Sequence, residues 1–205
     1  MKKKILLLLI CSLMIATPIT SNAKSFDIER NTVLSKVEIV PKEVVEAEFE
    51  RQINEILDQK REAQKITPMA GDHIYTSEVV QIKKQWLYGD VPGGQPRDGT
   101  RFAKPGGFSY SPKDGPTSSG TVQFSVPFKL VTFYIDVGTA TEATVGYSIA
   151  APNTTDFFLL VVDSEVESRQ VNIYKQITPN SPKVLDSIDY VSTVVRRILD
   201  VVEVP

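Results

Sequence analysis

This sequence is short of the residues that most enzyme chemistry needs. It holds one cysteine, Cys11, and one histidine, His73, among 205 residues. A lone histidine cannot build a multi-histidine metal centre. A serine triad on His73 and the neighbouring Asp72 would need a Gly-x-Ser-x-Gly elbow, and none is present. His73 therefore reads as a solvated turn residue. Long apolar runs are also missing after the N-terminus: Val194 to Val204 is broken by Arg196, Arg197, Asp200 and Glu203, so it is no membrane anchor. No block of basic residues follows Lys4, and without one a nucleic-acid partner is not expected. No βαβ rhythm and no internal repeat are visible.

What is present begins with a leader. Lys2, Lys3 and Lys4 precede an apolar run from Ile5 to Ile15, Pro18 breaks it, and Ser21-Asn22-Ala23 places small residues before Lys24. That is the layout of a secretory signal peptide cut after Ala23, as in bacterial-type exported proteins. The run is too short to anchor the chain, and Ile10 before Cys11 does not suit lipidation. Cleaving 23 of 205 residues leaves 182 and removes the only thiol, so disulfides and cysteine chemistry are excluded from the mature chain. The three leader lysines leave with it, and 20 Lys and Arg then face 25 Asp and Glu, a mildly acidic balance. The expected location is secreted, or extracellular.

The rest divides by periodicity. Residues 24–41 are polar and mixed and read as a flexible arm, with an extended hint at Val37 to Val40. Residues 42–66 read as an amphipathic helix: Val45, Phe49, Ile53, Ile56, Leu57 and Lys60 recur at spacings of three and four. Early glutamates and late Lys60, Arg61 and Lys65 suit the helix dipole, and Thr67-Pro68 ends it. Packing on the main domain is the simpler expectation, a stalk or pro-segment the other. From Ile74 the period becomes two, and 67–205 reads as a β domain. Ile74, Val80, Ile82, Trp86 and Tyr88 fall on one expected face of a long strand. Residues 89–120, rich in Gly and Pro, read as a long loop with at most a short edge strand at Phe108-Ser109-Tyr110. Val122 to Leu130 alternates clearly, and the phase slips at Leu130-Val131, which a bulge or a turn would repair. Pro127 suggests an edge or a strand end. Gly138 to Glu142 reads as a turn, Ala143 to Ile149 as a strand, Ala151 to Thr155 as a turn and Phe157 to Val162 as a central strand. Thr178 to Pro182 reads as a hairpin connection. Thr193 to Val204 fits helix or strand, and its valines favour strand. About eight short strands point to a mainly β fold: an antiparallel β-sandwich or jelly-roll-like domain preceded by one amphipathic helix.

No named motif carries chemistry. Asp90, Asp98, Asp114, Asp136 and Glu142 could supply the paired carboxylates of a hydrolase, but no spacing singles out two of them. The loop aspartates lack a calcium-loop spacing. No catalytic residue, no metal site and no cofactor is therefore expected. Trp86, Tyr88, Phe102, Phe108 and Tyr110 flank or occupy the Gly/Pro loop and are the candidate binding residues, for a glycan or an extracellular protein surface. The core-facing alternative is stronger for Trp86 than for Phe108 or Tyr110. The leading expectation is a non-enzymatic extracellular binding module. A membrane-active protein using an amphipathic hairpin within Thr117 to Ile149 is the second, and a carboxylate hydrolase the third. A stable membrane span in the mature chain is not expected.

Overall fold

The computed structural model describes residues 31–65, 73–143 and 148–205. The leader, residues 24–30 of the arm, and residues 66–72 and 144–147 lie outside the described residues. The helix stop expected at Thr67-Pro68 and the middle of the strand expected over Ala143 to Ile149 fall there as well. In chain order the elements are β1 (Thr32–Ile39), α1 (Lys42–Lys65), β2 (Ile74–Asp90), β3 (Gly107–Ser111), β4 (Thr117–Ser125), β5 (Phe128–Asp136), β6 (Thr139–Ala143), β7 (Ser148–Ala150), β8 (Phe157–Gln176) and β9 (Val184–Val204). The protein is mainly β, and the described residues form one helix and three antiparallel sheets. The main sheet has the order β1-β9-β8-β2, and two small sheets run β6-β3-β7 and β4-β5.

The long strands β8 and β9 form the spine. Alternation along β8 sends Phe158, Leu160, Val162 and Val166 to one face and Val171 and Ile173 to the other. The first face packs on β3, β6 and β7 through Phe102, Phe108, Ala140 and Ile149, and on β4-β5 through Val122, Phe124, Phe133 and Ile135. The second face receives Val45, Phe49 and Leu57 of α1. Leu159 and Val161, which point to the second face, are buried as well, so β8 is apolar on both sides over Phe157 to Val162, as its sequence suggests. The strand runs on to Gln176 although Asp163, Glu165, Glu167 and Arg169 follow, because Glu165, Glu167 and Arg169 enter ion pairs and Asp163 accepts a hydrogen bond from a backbone amide. The last segment is strand, continuous through β9, with Val195 and Asp186 as the extra residues at its two register shifts.

Helix α1 follows its apolar stripe. The Pro41 carbonyl accepts from the amides of Val44 and Val45 and so opens the helix. At the far end Asp186, the bulged residue of β9, holds Lys60 at 2.9 Å and Lys175 at 3.1 Å. Near the start, Arg169 bonds Glu46 through both terminal nitrogens at 2.7 Å. Two carboxyls thus clamp the helix. The hydrogen bond from Arg169 holds Glu46 below the usual carboxylate range despite some burial. Burial pushes Asp186 up, but Lys60 and Lys175 outweigh it and leave its carboxyl low. A carboxyl lowered in the folded state stabilises fully above its unfolded value near 4 and ceases to do so as pH falls through the folded value. Hydrogen exchange should therefore show α1 amides losing protection below pH 4 before those of β8. Equal protection of α1 at pH 3 and pH 7 would contradict the clamp.

Several sequence expectations change. Of the arm expected over 24–41, residues 32–39 form β1, paired with β9 from Thr32↔Val202 to Ile39↔Arg196; the partner, distant in sequence, lends order to a segment with little apolar pattern of its own. The loop expected over 89–120 contains β3 and the start of β4. β3 is central rather than an edge, lying between β6 and β7. The turn expected at Gly138 to Glu142 is only Gly138 (φ 91), after which β6 begins. The phase slip expected at Leu130-Val131 lies instead at Val126-Pro127, where the chain reverses through a cis peptide and pairs Ser125 with Phe128. Beyond that reversal the register of β4 and β5 runs unbroken to Thr117↔Asp136. Gln81 of β2 holds the hairpin tip, accepting from Ser125 N and donating to Val126 O at 2.7 Å.

Candidate binding surfaces

The five aromatic candidates separate. Phe102 and Phe108 are 1% and 0% exposed and meet edge-to-face, ring centres 5.2 Å apart, inside the core over β8. They hold the Gly/Pro segment down and form no contact surface. The segment also extends the sheet. Where β2 stops at Asp90↔Val162, Gln95 bonds both Leu160 N and Leu160 O through its side-chain amide, and Thr100 exchanges two backbone bonds with Phe158. A stretch that prolines keep from being a regular strand thus covers the open edge of β8. Tyr110 is half-buried and donates to Val137 O at 3.0 Å. Burial pushes its phenol up to about 12, so its contribution to stability is complete below pH 10 and lost between pH 10 and 12.

Trp86 and Tyr88 remain accessible. The extra residue Val80 shifts the register of β2 between Val79 and Gln81. After it, Ile82, Lys84 and Trp86 lie on the α1 side of the sheet, opposite Arg169, Glu167 and Glu165, while Leu87 faces the β4-β5 core. The bulge thereby reverses the expected inward set, and Leu87 is the core residue that the two-residue period passed over. Trp86 and Tyr88 stack with ring centres 5.9 Å apart and planes at 16°, and Tyr88 is 63% exposed.

Charged side chains line the same face. Lys84 meets Glu167 at 3.6 Å, Glu167 meets Arg169 at 2.8 Å, and Arg196 meets Glu165 at 3.5 Å. The Arg169 guanidinium also lies 3.8 Å over the Phe49 ring. Together with Ile39, Lys42 and Val45 at the start of α1, these side chains bound a cleft of about 300 Å³. The planar carboxylate and guanidinium groups of this row are fixed by their own pairing, which suits them to orient a polar ligand.

Two of the carboxylate candidates, Asp90 and Asp136, are engaged in structure. Asp136 is exposed and accepts from Gly115 N and Gly138 N, both at 2.8 Å, tying two turns together. Asp163 accepts from Gly89 N at 2.7 Å. Asp90 accepts from Ser118 at 2.9 Å, while its other oxygen is buried without a partner among the described residues. Burial first, and the charge of Asp163 second, raise the Asp90 carboxyl. The folded state therefore disfavours ionised Asp90 at neutral pH. Asp90→Asn should raise the melting temperature by a few degrees at pH 7 and lose that advantage at pH 3, where the aspartate is protonated. A lower melting temperature at pH 7 would contradict this reading. Among the described residues no group of three or more His, Cys, Asp or Glu could hold a metal ion.

Two further surfaces escaped the sequence reading. Reversal at Val126-Pro127 turns Phe128, Leu130 and Tyr134 outward, and Phe128 and Tyr134 are 73% and 68% exposed. Beside Tyr134, a cleft of about 630 Å³ opens between β5 and the corner where β1 passes into α1. Glu38 and Arg197 line it and lie directly opposite each other on β1 and β9.

The fold and these surfaces define a mainly β protein with accessible aromatic and apolar faces, and among the described residues no helix is long and apolar enough to cross a membrane. The chain matches no protein-family model, no curated protein and no solved structure.

Proposed function

We propose that this is an exported, non-enzymatic binding module that takes a glycan on the Trp86-Tyr88 face of its main sheet. The observation that carries the reading is the parallel aromatic stack beside the row Lys84, Glu167, Glu165 and Arg196. Aromatic rings present apolar area to the C–H face of a sugar ring, and fixed carboxylate and guanidinium groups bond its hydroxyls. We read the packing of the two small sheets onto one face of the main sheet as a sandwich-type arrangement, which leaves part of the opposite face for ligand. Export follows from the leader. A glycan array probed with the secreted form should give a defined set of positives, at least 10-fold weaker with Tyr88→Ala or Trp86→Ala. A glycan array on which no positive is weakened by either variant would contradict the proposal.

A second reading rests on the outward face of β5. An exposed apolar stripe of Val126, Phe128, Leu130 and Tyr134 at a hairpin suits contact with a lipid surface. Co-sedimentation with anionic or zwitterionic vesicles, abolished by the pair Phe128→Ser and Leu130→Ser, would support it. No sedimentation with either lipid would dispose of it.

A further inference from the structure

We infer that the cleft between β5 and the β1-α1 corner is a second, separate saccharide site, in which Glu38 and Arg197 bond neighbouring hydroxyls. Arg197 is 9% exposed, yet its Nε, like Glu38 Oε2, is buried and has no partner among the described residues. A buried donor and a buried acceptor left unmatched are unfavourable to the fold. Here they stand on directly opposite positions of adjacent strands and line the same cavity. A ligand that satisfies both must accept from Arg197 Nε and donate to Glu38 Oε2, which the hydroxyls of a vicinal diol do together.

Charge selects against anions. The lining sets three carboxylates, Glu38, Glu48 and Asp136, against Arg197 and Lys113. Glu48 is held by Arg51 at 2.6 Å and by Gln52 at 2.8 Å. The cleft thus keeps a slight negative excess, which excludes anions and leaves a neutral polar ligand suited to it. Its size lies within the range of small-molecule sites. Apolar area comes from Val40, Pro41 and Val44, and the exposed Tyr134 ring stands at the mouth for the apolar face of a sugar. Trp86 and Tyr88 have no part in this cleft.

The test is made in the Trp86→Ala/Tyr88→Ala protein, where the first face is disabled. Titration calorimetry and saturation-transfer NMR with methyl β-glucoside, N-acetylglucosamine, maltose, cellobiose and chitobiose should show at least one bound. Adding Val44→Trp, at an exposed helix position facing the cleft, should weaken that sugar at least 10-fold with an unchanged melting temperature, and Tyr134→Ala should weaken it severalfold. Either failure to bind any of the five or equal binding with Val44→Trp overturns the inference. Loss of all binding in the Trp86→Ala/Tyr88→Ala background, with binding intact in the unsubstituted chain, overturns it while leaving the first face standing. Failure of the unsubstituted chain to bind any of the five overturns it as well.

Discussion

Phe49→Ala should lower stability by about 3–5 kcal/mol, the usual cost of emptying a fully buried aromatic site, and should loosen the helix from the sheet. Phe49 is 1% exposed in the core shared with Val171, Ile173 and Val191, and the Arg169 guanidinium closes over its ring. The substitution opens a cavity and removes the cation–π contact together. It reaches the proposed site as well. Arg169 holds Glu46 and Glu167, and Glu167 in turn meets Lys84 on the face that carries Trp86. Urea unfolding should show the lowered midpoint, and glycan affinity should fall even under conditions where the variant remains folded. A midpoint shift corresponding to less than about 1 kcal/mol would mean that α1 is only loosely applied to the sheet, against the packing described.

Gly107→Ala should be comparably severe. β3 passes so close to β7 that a Cβ on Gly107 would sit 1.9 Å from the carbonyl oxygen of Ile149 and 2.7 Å from the Cα of Ala150. Both obstacles are backbone, so no side-chain rotation relieves them. The β3-β7 pairing, from Gly107↔Ala150 to Ser109↔Ser148, must part. Phe108, next in sequence and fully buried, would be drawn from its place against Phe102 and Phe158. A loss of more than about 4 kcal/mol belongs to this kind of steric and packing failure. Gly106→Ala, whose closest approach is 2.9 Å to the Ala143 carbonyl oxygen, should cost less. If Gly107→Ala melts with the unsubstituted protein, the three-stranded sheet is not built as described.

The elements most legible in the sequence are those whose pattern is local. The stripe of α1 matches the helix found from Lys42, whose far end past Lys65 lies outside the described residues. The valine-rich end is strand, and Phe157 to Val162 opens β8, with β9 on one side and, on the other, Gln95 and Thr100 up to Leu160, before β2 joins at Asp90↔Val162. What the sequence conceals depends on partners far along the chain. β1 has few buried residues, and β9 supplies its order. β6 reads as a turn because its Thr-Ala-Thr-Glu-Ala composition carries no long apolar alternation, and only β3 completes it. Single-residue events mislead most. Val80 reverses the faces of β2, so Trp86 moves from the expected inward set to an accessible face. Val126-Pro127 reverses β4 into β5, so Phe128 and Leu130 leave the face that the alternation gives them with Val122 and Phe124 and turn to the surface. Both follow from the period of two, in which one residue exchanges the faces of everything after it.

The candidate site is legible only in part. Sequence singles out Trp86 and Tyr88 together with Phe102 and Phe108 but ranks Phe108 above Trp86 as a contact residue, the reverse of their exposure, because aromatics beside Gly and Pro serve equally as anchors and as contact residues. The charged row is hidden, since Lys84, Glu165, Glu167 and Arg196 come together only through the pairing of three strands. The Glu38-Arg197 pair is hidden for the same reason, with the added obstacle that the residues of β1 carry the polar, mixed pattern of an arm.

Trp86 is the only tryptophan of the chain, so its emission reports on the proposed face without any label. The most direct test is a fluorescence titration with a saccharide shown by calorimetry to bind. A saturable blue shift of Trp86 emission, with a midpoint equal to the calorimetric dissociation constant and at least 10-fold weaker in Tyr88→Ala, is the predicted result. If none of the saccharides bound by the unsubstituted chain shifts the Trp86 emission, the claim is contradicted.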